Sequence, residues 1–453
     1  MNSNRTLAAA AFAALALSCM ERQGPKPPTF PSGGLLARSA SLPQPQLLSA
    51  LEGIYDTTNR FGTFAVVHAS VQGSSAATMK AALAILGRDR LAFAILEPGC
   101  FTDPSSGSAT VQLVLEGYWR YLDNAEPDSG STGLIRLFVQ PSSIATALCS
   151  GQAPPPGITA TLAGATGQGN AQPTAPIQVT YVQQRKSRLV EGRKSFFVGA
   201  HHGGCVTSDD CGISENTPET FVLASQLGAD YLEVDVHLTA DGIPVCFHTA
   251  DLSATLVQGP YCFGGVADYT YAQLVANCRL KNGEIIPRLE DTLAYGLTNT
   301  DLIVWLDMKT ANAVLPATQL LGMLAARLPA ANVMNRVVIG LPSGDVLNAY
   351  VSAQQNGQLA PGQRCLVEQS AADVLSIPCI AWSPRYTRGP MASDVQNLQS
   401  NGKFVGYWTI NDPTAVDAFL LDGKPNGILT NNLGLVNQRW EAIGILPPYA
   451  VSP

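Results

Sequence analysis

The sequence predicts an α/β protein: a (β/α)8 TIM barrel preceded by a smaller all-β domain. Three observations carry that reading. At 453 residues the chain exceeds one ordinary domain. From about residue 196, apolar strand-like runs alternate with helical stretches. Before that point, short strand-like runs are separated by clusters of Gly, Ser, Asp, Asn and Pro, the residues of tight turns.

The first 19 residues read as an export signal. Arg5 gives a basic start, residues 7–17 form an alanine-rich apolar core, and the polar, proline-containing stretch after it is no stop-transfer pattern. Ala16-Leu17-Ser18-Cys19 resembles a bacterial lipobox with alanine where leucine is usual. Cys19 is therefore a candidate for a lipid anchor that would tether the protein to a membrane, with plain cleavage nearby as the alternative. Either way the expected location is outside the cytoplasm: a periplasmic or cell-envelope lipoprotein, or a secreted protein. Residues 20–46, rich in Pro, Ser and Gly, read as a tether.

Cysteine usage fits export. Beyond Cys19 there are nine, and pairing neighbours in an oxidising compartment gives Cys100–Cys149, Cys205–Cys211, Cys262–Cys278 and Cys365–Cys379. Cys246 is left over inside an apolar strand, where a thiol packs as a small hydrophobe.

Residues 47–190 read as a β-rich accessory domain of unassigned function, with strands expected near 64–68, 91–96, 111–115, 134–139 and 177–184. Residues 151–176 read as a loop or weak strands. No constellation there carries chemistry, and His68, its only histidine, reads as a packed or surface residue.

Residues 191–445 carry the barrel. Strand-like runs fall at 196–200, 231–238, 243–247, 302–307, 337–341, 365–368, 377–382, 404–410 and 427–429, with helical stretches between many of them. Nine runs exceed eight strands, so one of the two near 365 and 377 is expected to be peripheral.

The formal net charge of −7 and a charged fraction of only 13% exclude an ordinary nucleic-acid binder. Positive potential for an anionic ligand must then come from a metal or a few placed cations. Glu233, Asp235 and His237 share one face of the run 231–238, because side chains alternate along a strand. Two acids stacked on a buried strand repel each other unless a cation lies between them, and carboxylates suit a hard divalent ion. Asp307 ends another apolar run, two residues before Lys309, and supplies a third acid and a cation. His201 and His248 follow predicted strands and bracket these acids; two histidines suit a displacement that needs one base and one acid.

At this point a family resemblance emerges. His201-His202-Gly203 is similar to the His-Arg-Gly that opens the glycerophosphodiester phosphodiesterase domain, and Glu215-Asn216-Thr217 to its Glu-Asn-Thr. The segment 228–242 resembles its Glu-x-Asp strand and following turn, and Val245-Cys246-Phe247-His248 the strand bearing its second histidine. Ile286-Pro287-Arg288-Leu289-Glu290, Tyr407-Trp408-Thr409-Ile410-Asn411 and Gly427-Ile428-Leu429-Thr430 continue the resemblance in order to about residue 440.

The resemblance implies a hydrolase that cleaves glycerophosphodiesters to glycerol 3-phosphate and an alcohol with Ca²⁺ or Mg²⁺. Carried over by position, the histidine pair falls on His201 and His248, and the metal ligands on Glu233, Asp235 and Asp307. Substrate or phosphate contacts fall on His202, Lys309 and Trp408. The implied partner is a small phosphodiester or a phospholipid-derived substrate, with no nucleic acid and no protein partner. Three departures qualify the substrate. His202 stands where arginine is usual, Thr249 where an aspartate often follows, and Asp307 where glutamate is more common. Asp307-x-Lys309 also resembles the sphingomyelinase D-like phospholipases, so a lysophospholipase D-type activity is one alternative. A degenerate barrel that binds ligands without turnover is another.

Overall fold

The computed structural model describes residues 26–31, 34–57, 61–72, 79–87, 92–102, 110–121, 132–186, 189–190, 193–204 and 211–443. The export signal, Cys19 and Cys205 lie outside the described residues.

Eight strands close the N-terminal sheet: β1 (Gly53–Thr57), β2 (Phe64–Gln72), β3 (Lys80–Gly87), β4 (Ala92–Thr102), β5 (Val111–Tyr121), β6 (Thr132–Gln140), β7 (Thr161–Thr166) and β8 (Ala175–Gln183). Each pairs antiparallel with the next, and β8 returns to β1. Closure leaves no exposed sheet edge. Inward side chains such as Val67, Leu83, Leu96, Leu115 and Leu137 fill the interior. The helix Ser142–Cys149 and the 3-10 helix Pro45–Leu51 add Ile144, Leu148, Leu48 and Leu51 to that core.

The start of this domain differs from the expected tether. Leu35–Arg38 forms a 3-10 helix whose first N–H groups are held by the buried Glu116 carboxylate, Leu35 N–H at 3.1 Å and Leu36 N–H at 3.0 Å. A buried carboxylate requires such donors, so Glu116 fastens a segment whose composition alone reads as loose. Cys100–Cys149, Cys262–Cys278 and Cys365–Cys379 are bonded as neighbour pairing expects, and Cys246 is free and buried.

A short hairpin, β9 (Leu189–Val190) and β10 (Arg193–Lys194), leads into the second sheet. Its strands are β11 (Phe197–Ala200), β12 (Tyr231–Leu238), β13 (Pro244–Cys246), then, after a separate two-stranded sheet of β14 (Val257–Gln258) and β15 (Arg279–Leu280), β16 (Ile303–Met308), β17 (Val337–Leu341), β18 (Arg364–Val367), β19 (Ala381–Trp382), β20 (Phe404–Tyr407) and β21 (Gly427–Thr430). Strands β11, β12 and β16 to β21 pair parallel in order, and β21 pairs with β11, which closes an eight-stranded barrel. Helices follow its strands, and polar caps start several of them at the end of the barrel where the strands finish. Ser343, Ser370, Asp412 and Asn432 each accept a backbone N–H of the helix they begin.

The ninth strand is not one of the two near 365 and 377, since β18 and β19 are both barrel members. It is β13, which folds back antiparallel on β12 with Val236 opposite Cys246. Only a tight turn separates these strands, too little chain for the crossover of a dozen or more residues that a parallel partner needs.

The two barrels share a core. The outer faces of β2, β3 and β4 contribute Val66, Ala82, Ala84, Leu86, Phe93 and Ile95 to a cluster with Phe221, Leu223, Leu435 and Val436 of the parallel barrel's helices. Strand β3 is therefore apolar on both sides, since Leu83 and Ile85 face the antiparallel interior. Arg185, just after β8, ties the halves together: it donates to Glu52 at 2.7 Å and to Glu441 of the last helix at 2.7 Å. His68, half-buried on β2, lies 3.3 Å from Glu52, which fits its reading as a packed residue.

Inside the parallel barrel Tyr231, Trp305, Val338, Leu366, Ala381 and Leu429 form an apolar plug. Gly340 makes room for it, because a Cβ there would stand 2.1 Å from the Trp305 indole nitrogen. This plug is the floor on which the polar residues at the strand ends rest.

Candidate active site

The acids come together through strand register. Glu233 and Asp235 point to the same side of β12, and parallel pairing sets Asp235 opposite Asp307 and Glu233 opposite Trp305. One oxygen from each of Glu233, Asp235 and Asp307 lies within 4.8 Å of the others. Asp307 Oδ1 is buried and makes no hydrogen bond among the described residues. An orphaned carboxylate oxygen within a set of three hard oxygen donors fits a divalent ion such as Ca²⁺ or Mg²⁺.

The electrostatics agree. Burial, followed by the charge on Asp235, pushes Glu233 well above the usual carboxylate range. Burial and Asp235 likewise raise Asp307. Burial also works against ionisation of Asp235, but His202, Lys309 and His248 outweigh it and hold that acid low. Asn216 fixes Asp235 further: its amide donates to Oδ2 at 2.7 Å, and its carbonyl accepts the Asp235 N–H at 2.9 Å. Lys309 ion-pairs with Asp235 at 2.5 Å and also with Asp307, and these two carboxylates raise its own pKa against burial.

The histidines sit beside the acids. His201 directly follows β11, and its Nδ1 lies 2.6 Å from Asn431 Oδ1, just after β21. That partner fixes Nδ1 as the protonated nitrogen and leaves Nε2 with its lone pair. Burial, then the neighbouring His202, lowers the His201 pKa well below the ordinary histidine value. His248 is more open, with 40% of its side chain exposed, and Glu215 lies 4.0 Å from its Nδ1. Burial, opposed by Asp235 and then joined by His202, sets it below the ordinary value too.

His202 departs from its expected role as a phosphate contact. Its ring stacks on His201 at 3.7 Å and lies 4.2 Å from His248, buried among acids. Its Nδ1 is 3.3 Å from Glu215, and its Nε2 is 3.3 Å from Asp235 and 3.8 Å from Glu233. Burial opposes its protonation, yet these three carboxylates raise the imidazole to about 10. An imidazole is shorter than the family's arginine, so it stays among the acids at the base of the turn. The turn also depends on Gly203, at φ 101°, where a Cβ would stand 2.4 Å from Thr220 Cβ.

A cavity of about 560 Å³ opens above these groups. His201, Glu233, His248, Asp307, Lys309 and Trp408 line it, so most of the expected site residues converge on one space. The Trp408 indole is held by its N–H to the Ser383 carbonyl at 2.8 Å and carries the Arg385 guanidinium 4.7 Å over its ring. Four contributors went unassigned in the sequence. Glu368, after β18, lines the cavity and is raised well above its usual range by burial and then by Asp307. Arg385 and Arg388 stand at the cavity edge, and Asn431 orients His201. Each is a single polar residue beyond a strand end, a position at which barrel enzymes place functional groups.

The sequence model described as the glycerophosphoryl diester phosphodiesterase family matches residues 202–435, more than half of the chain. The probable glycerophosphodiester phosphodiesterase 2 of Mycobacterium tuberculosis is 25% identical over 258 residues, covering 54% of this chain and 93% of that protein. Glycerophosphodiester phosphodiesterase 1 of Bos taurus is 34% identical over 134 residues, covering 28% of this chain and 38% of the bovine one. The crystal structure of a glycerophosphodiester phosphodiesterase from Parabacteroides distasonis superposes with a TM-score of 0.45 at 20% identity, over 55% of this chain and 98% of that one. The antiparallel barrel lies outside the family match. From residue 202 to residue 435 the chain belongs to the glycerophosphoryl diester phosphodiesterase family, and it is a phosphoric diester hydrolase.

Proposed function

We propose that this protein hydrolyses small glycerophosphodiesters, of the glycerophosphocholine type, to glycerol 3-phosphate and an alcohol. The observation that carries this reading is the convergence of His201, His248, Glu233 and Asp307 on one cavity, with Asp235 buried beside the two acids.

In the proposed mechanism Glu233, Asp235 and Asp307 would hold Ca²⁺ or Mg²⁺. Such an ion, when bound, polarises a phosphoryl oxygen and offsets charge that develops there. Lys309 turns toward the phosphate from between Asp235 and Asp307 and adds a second positive charge. His201, neutral and oriented by Asn431, takes a proton at Nε2 from a water whose oxygen bonds to phosphorus as the bond to the alcohol oxygen breaks. His248, beside Glu215, gives a proton to the departing alcohol oxygen; burial disfavours its charged form, and Asp235 and then Glu215 oppose that effect. Trp408 packs against the substrate's alcohol portion, and its hydrogen bond to Ser383 keeps the ring in one orientation.

The cavity edge supports a deacylated substrate over a lysophospholipid. An acyl chain needs an apolar entrance, and Gln369, Arg385, Thr387 and Arg388 offer polar and charged groups there. The antiparallel barrel, filled by its own side chains, is read as a non-catalytic accessory domain docked on the enzyme. The three disulfides between described residues fit an oxidising compartment. Among the described residues no helix is long and apolar enough to cross a membrane. Export through the N-terminal signal, with Cys19 as a lipid acceptor, completes the proposal.

The test is product analysis with purified protein, Ca²⁺ or Mg²⁺, and either glycerophosphocholine or lysophosphatidylcholine. Glycerol 3-phosphate from the first substrate, abolished by a chelator, is the expected result. Turnover of the lysolipid alone would overturn the substrate assignment.

A further inference from the structure

The three-carboxylate set leaves a second group of ligand atoms unexplained. His202, Glu215 and His248 each present one donor atom within 4.8 Å of the other two. Glu215 bridges the rings, with Oε2 3.3 Å from His202 Nδ1 and Oε1 4.0 Å from His248 Nδ1. His202 and Glu215 are only 8% and 7% exposed. Glu215 Oε1 is buried without a hydrogen bond among the described residues. A buried polar atom left unpaired is costly, and a cation between Glu215 and the two rings satisfies it.

We propose that His202, Glu215 and His248 form a second cation site, suited to a transition-metal ion of the zinc class, beside the hard-ion site. The donor types separate the two. Three carboxylates suit Ca²⁺ or Mg²⁺, whereas two imidazoles and one carboxylate are a zinc-type set that leaves a fourth position open. The family's arginine at position 202 is always protonated and cannot ligate a metal. The histidine here supplies a nitrogen instead, so the site is a property of this chain. Binding engages an imidazole nitrogen of His202. It also commits the His248 lone pair, so an ion in this site opposes turnover; that consequence, unlike the site itself, rests on His248 acting in proton transfer.

The experiment is equilibrium dialysis of the purified full chain against Zn²⁺, with bound zinc counted by mass spectrometry. His202→Arg restores the family's residue, Glu215→Gln keeps the shape of the bridge, and circular dichroism checks that each variant folds. Wild type should hold about two equivalents, one in each site, because zinc also accepts carboxylates. Each variant should hold about one. A single equivalent in wild type would mean that His202 is only a buried imidazolium among acids, and two equivalents retained in both variants would place the second ion elsewhere. Either result overturns the proposal. Hydrolysis at fixed Mg²⁺ is measured in parallel. Zinc that fills the second site without slowing turnover supports the site and contradicts the proton-transfer role of His248.

Discussion

Asp235 of β12 and Asp307 of β16 are register partners on adjacent parallel strands. Two carboxylates from distant parts of the chain thus meet on one face, within reach of Glu233. The arrangement is unfavourable for the acids themselves, since burial and mutual repulsion raise both Glu233 and Asp307. Lys309 offsets part of that charge, and a divalent ion would offset the remainder.

Asp307→Asn tests this pairing. It removes one anionic ligand while keeping the side chain's size. Losing even an outer contact to a ligand costs about 10–100-fold in metal affinity, so loss of the ligand itself should cost at least that. Calorimetric titration with Ca²⁺ or Mg²⁺ measures it. Unchanged affinity in the variant would remove Asp307 from the ligand set.

The pH dependence follows from His201. Burial and then the His202 charge hold it well below its ordinary value of 6.5. A depressed pKa means that the neutral base persists as pH falls through 6.5 and is lost only lower down. The acid limb of kcat/KM should therefore lie below 6.5. In His202→Gln the like charge is gone, and the limb should move upward. A limb that stays in place in this variant would show that His201 does not set it.

The joint between the barrels makes a separate prediction. His68 and Arg185 outweigh burial and hold Glu52 at about 2, below its ordinary 4.5. A carboxylate depressed in the folded state contributes stability that is complete above the unfolded value and is lost as pH falls through the folded one. That contribution, about 3 kcal/mol, should fade between pH 4.5 and 2. Arg185→Ala should cost a similar ~3 kcal/mol at neutral pH, because the buried Glu441 loses its guanidinium. Urea unfolding monitored by tryptophan fluorescence reads both effects. A variant as stable as wild type would mean that the apolar contact between the barrels holds them without this ion pair.

Much of the site was legible because its chemistry is written locally. Glu233, Asp235 and His237 show strand alternation in seven consecutive letters, and His201 and His248 stand beside short motifs. Asp307 was assigned beside them from its place after an apolar run and from the family resemblance; the register that sets it opposite Asp235 comes only from the closed barrel. Glu368 and Arg385 had no motif around them, and Asn431 stands just past the Gly427–Thr430 motif without being part of it, so nothing in the sequence separated them from ordinary loop residues. Strand β3 was missed for a different reason. Its run from Lys80 to Gly87 is alanine-rich and apolar on both faces, because one side fills the antiparallel barrel and the other meets the parallel barrel's helices. Neither β-propensity nor alternation could flag it. Leu35–Arg38 looked like part of a tether because its anchor, Glu116, lies far along the chain.

The most direct test of the central claim is the hydrolysis of glycerophosphocholine by His201→Ala and His248→Ala proteins at saturating Mg²⁺ or Ca²⁺. Proton transfer by a positioned side chain is worth about 10²–10⁴-fold. Each variant should lose kcat by that order while the divalent ion still binds. Full activity in either variant would contradict the two-histidine mechanism, and absence of activity in the wild type would contradict the proposed substrate.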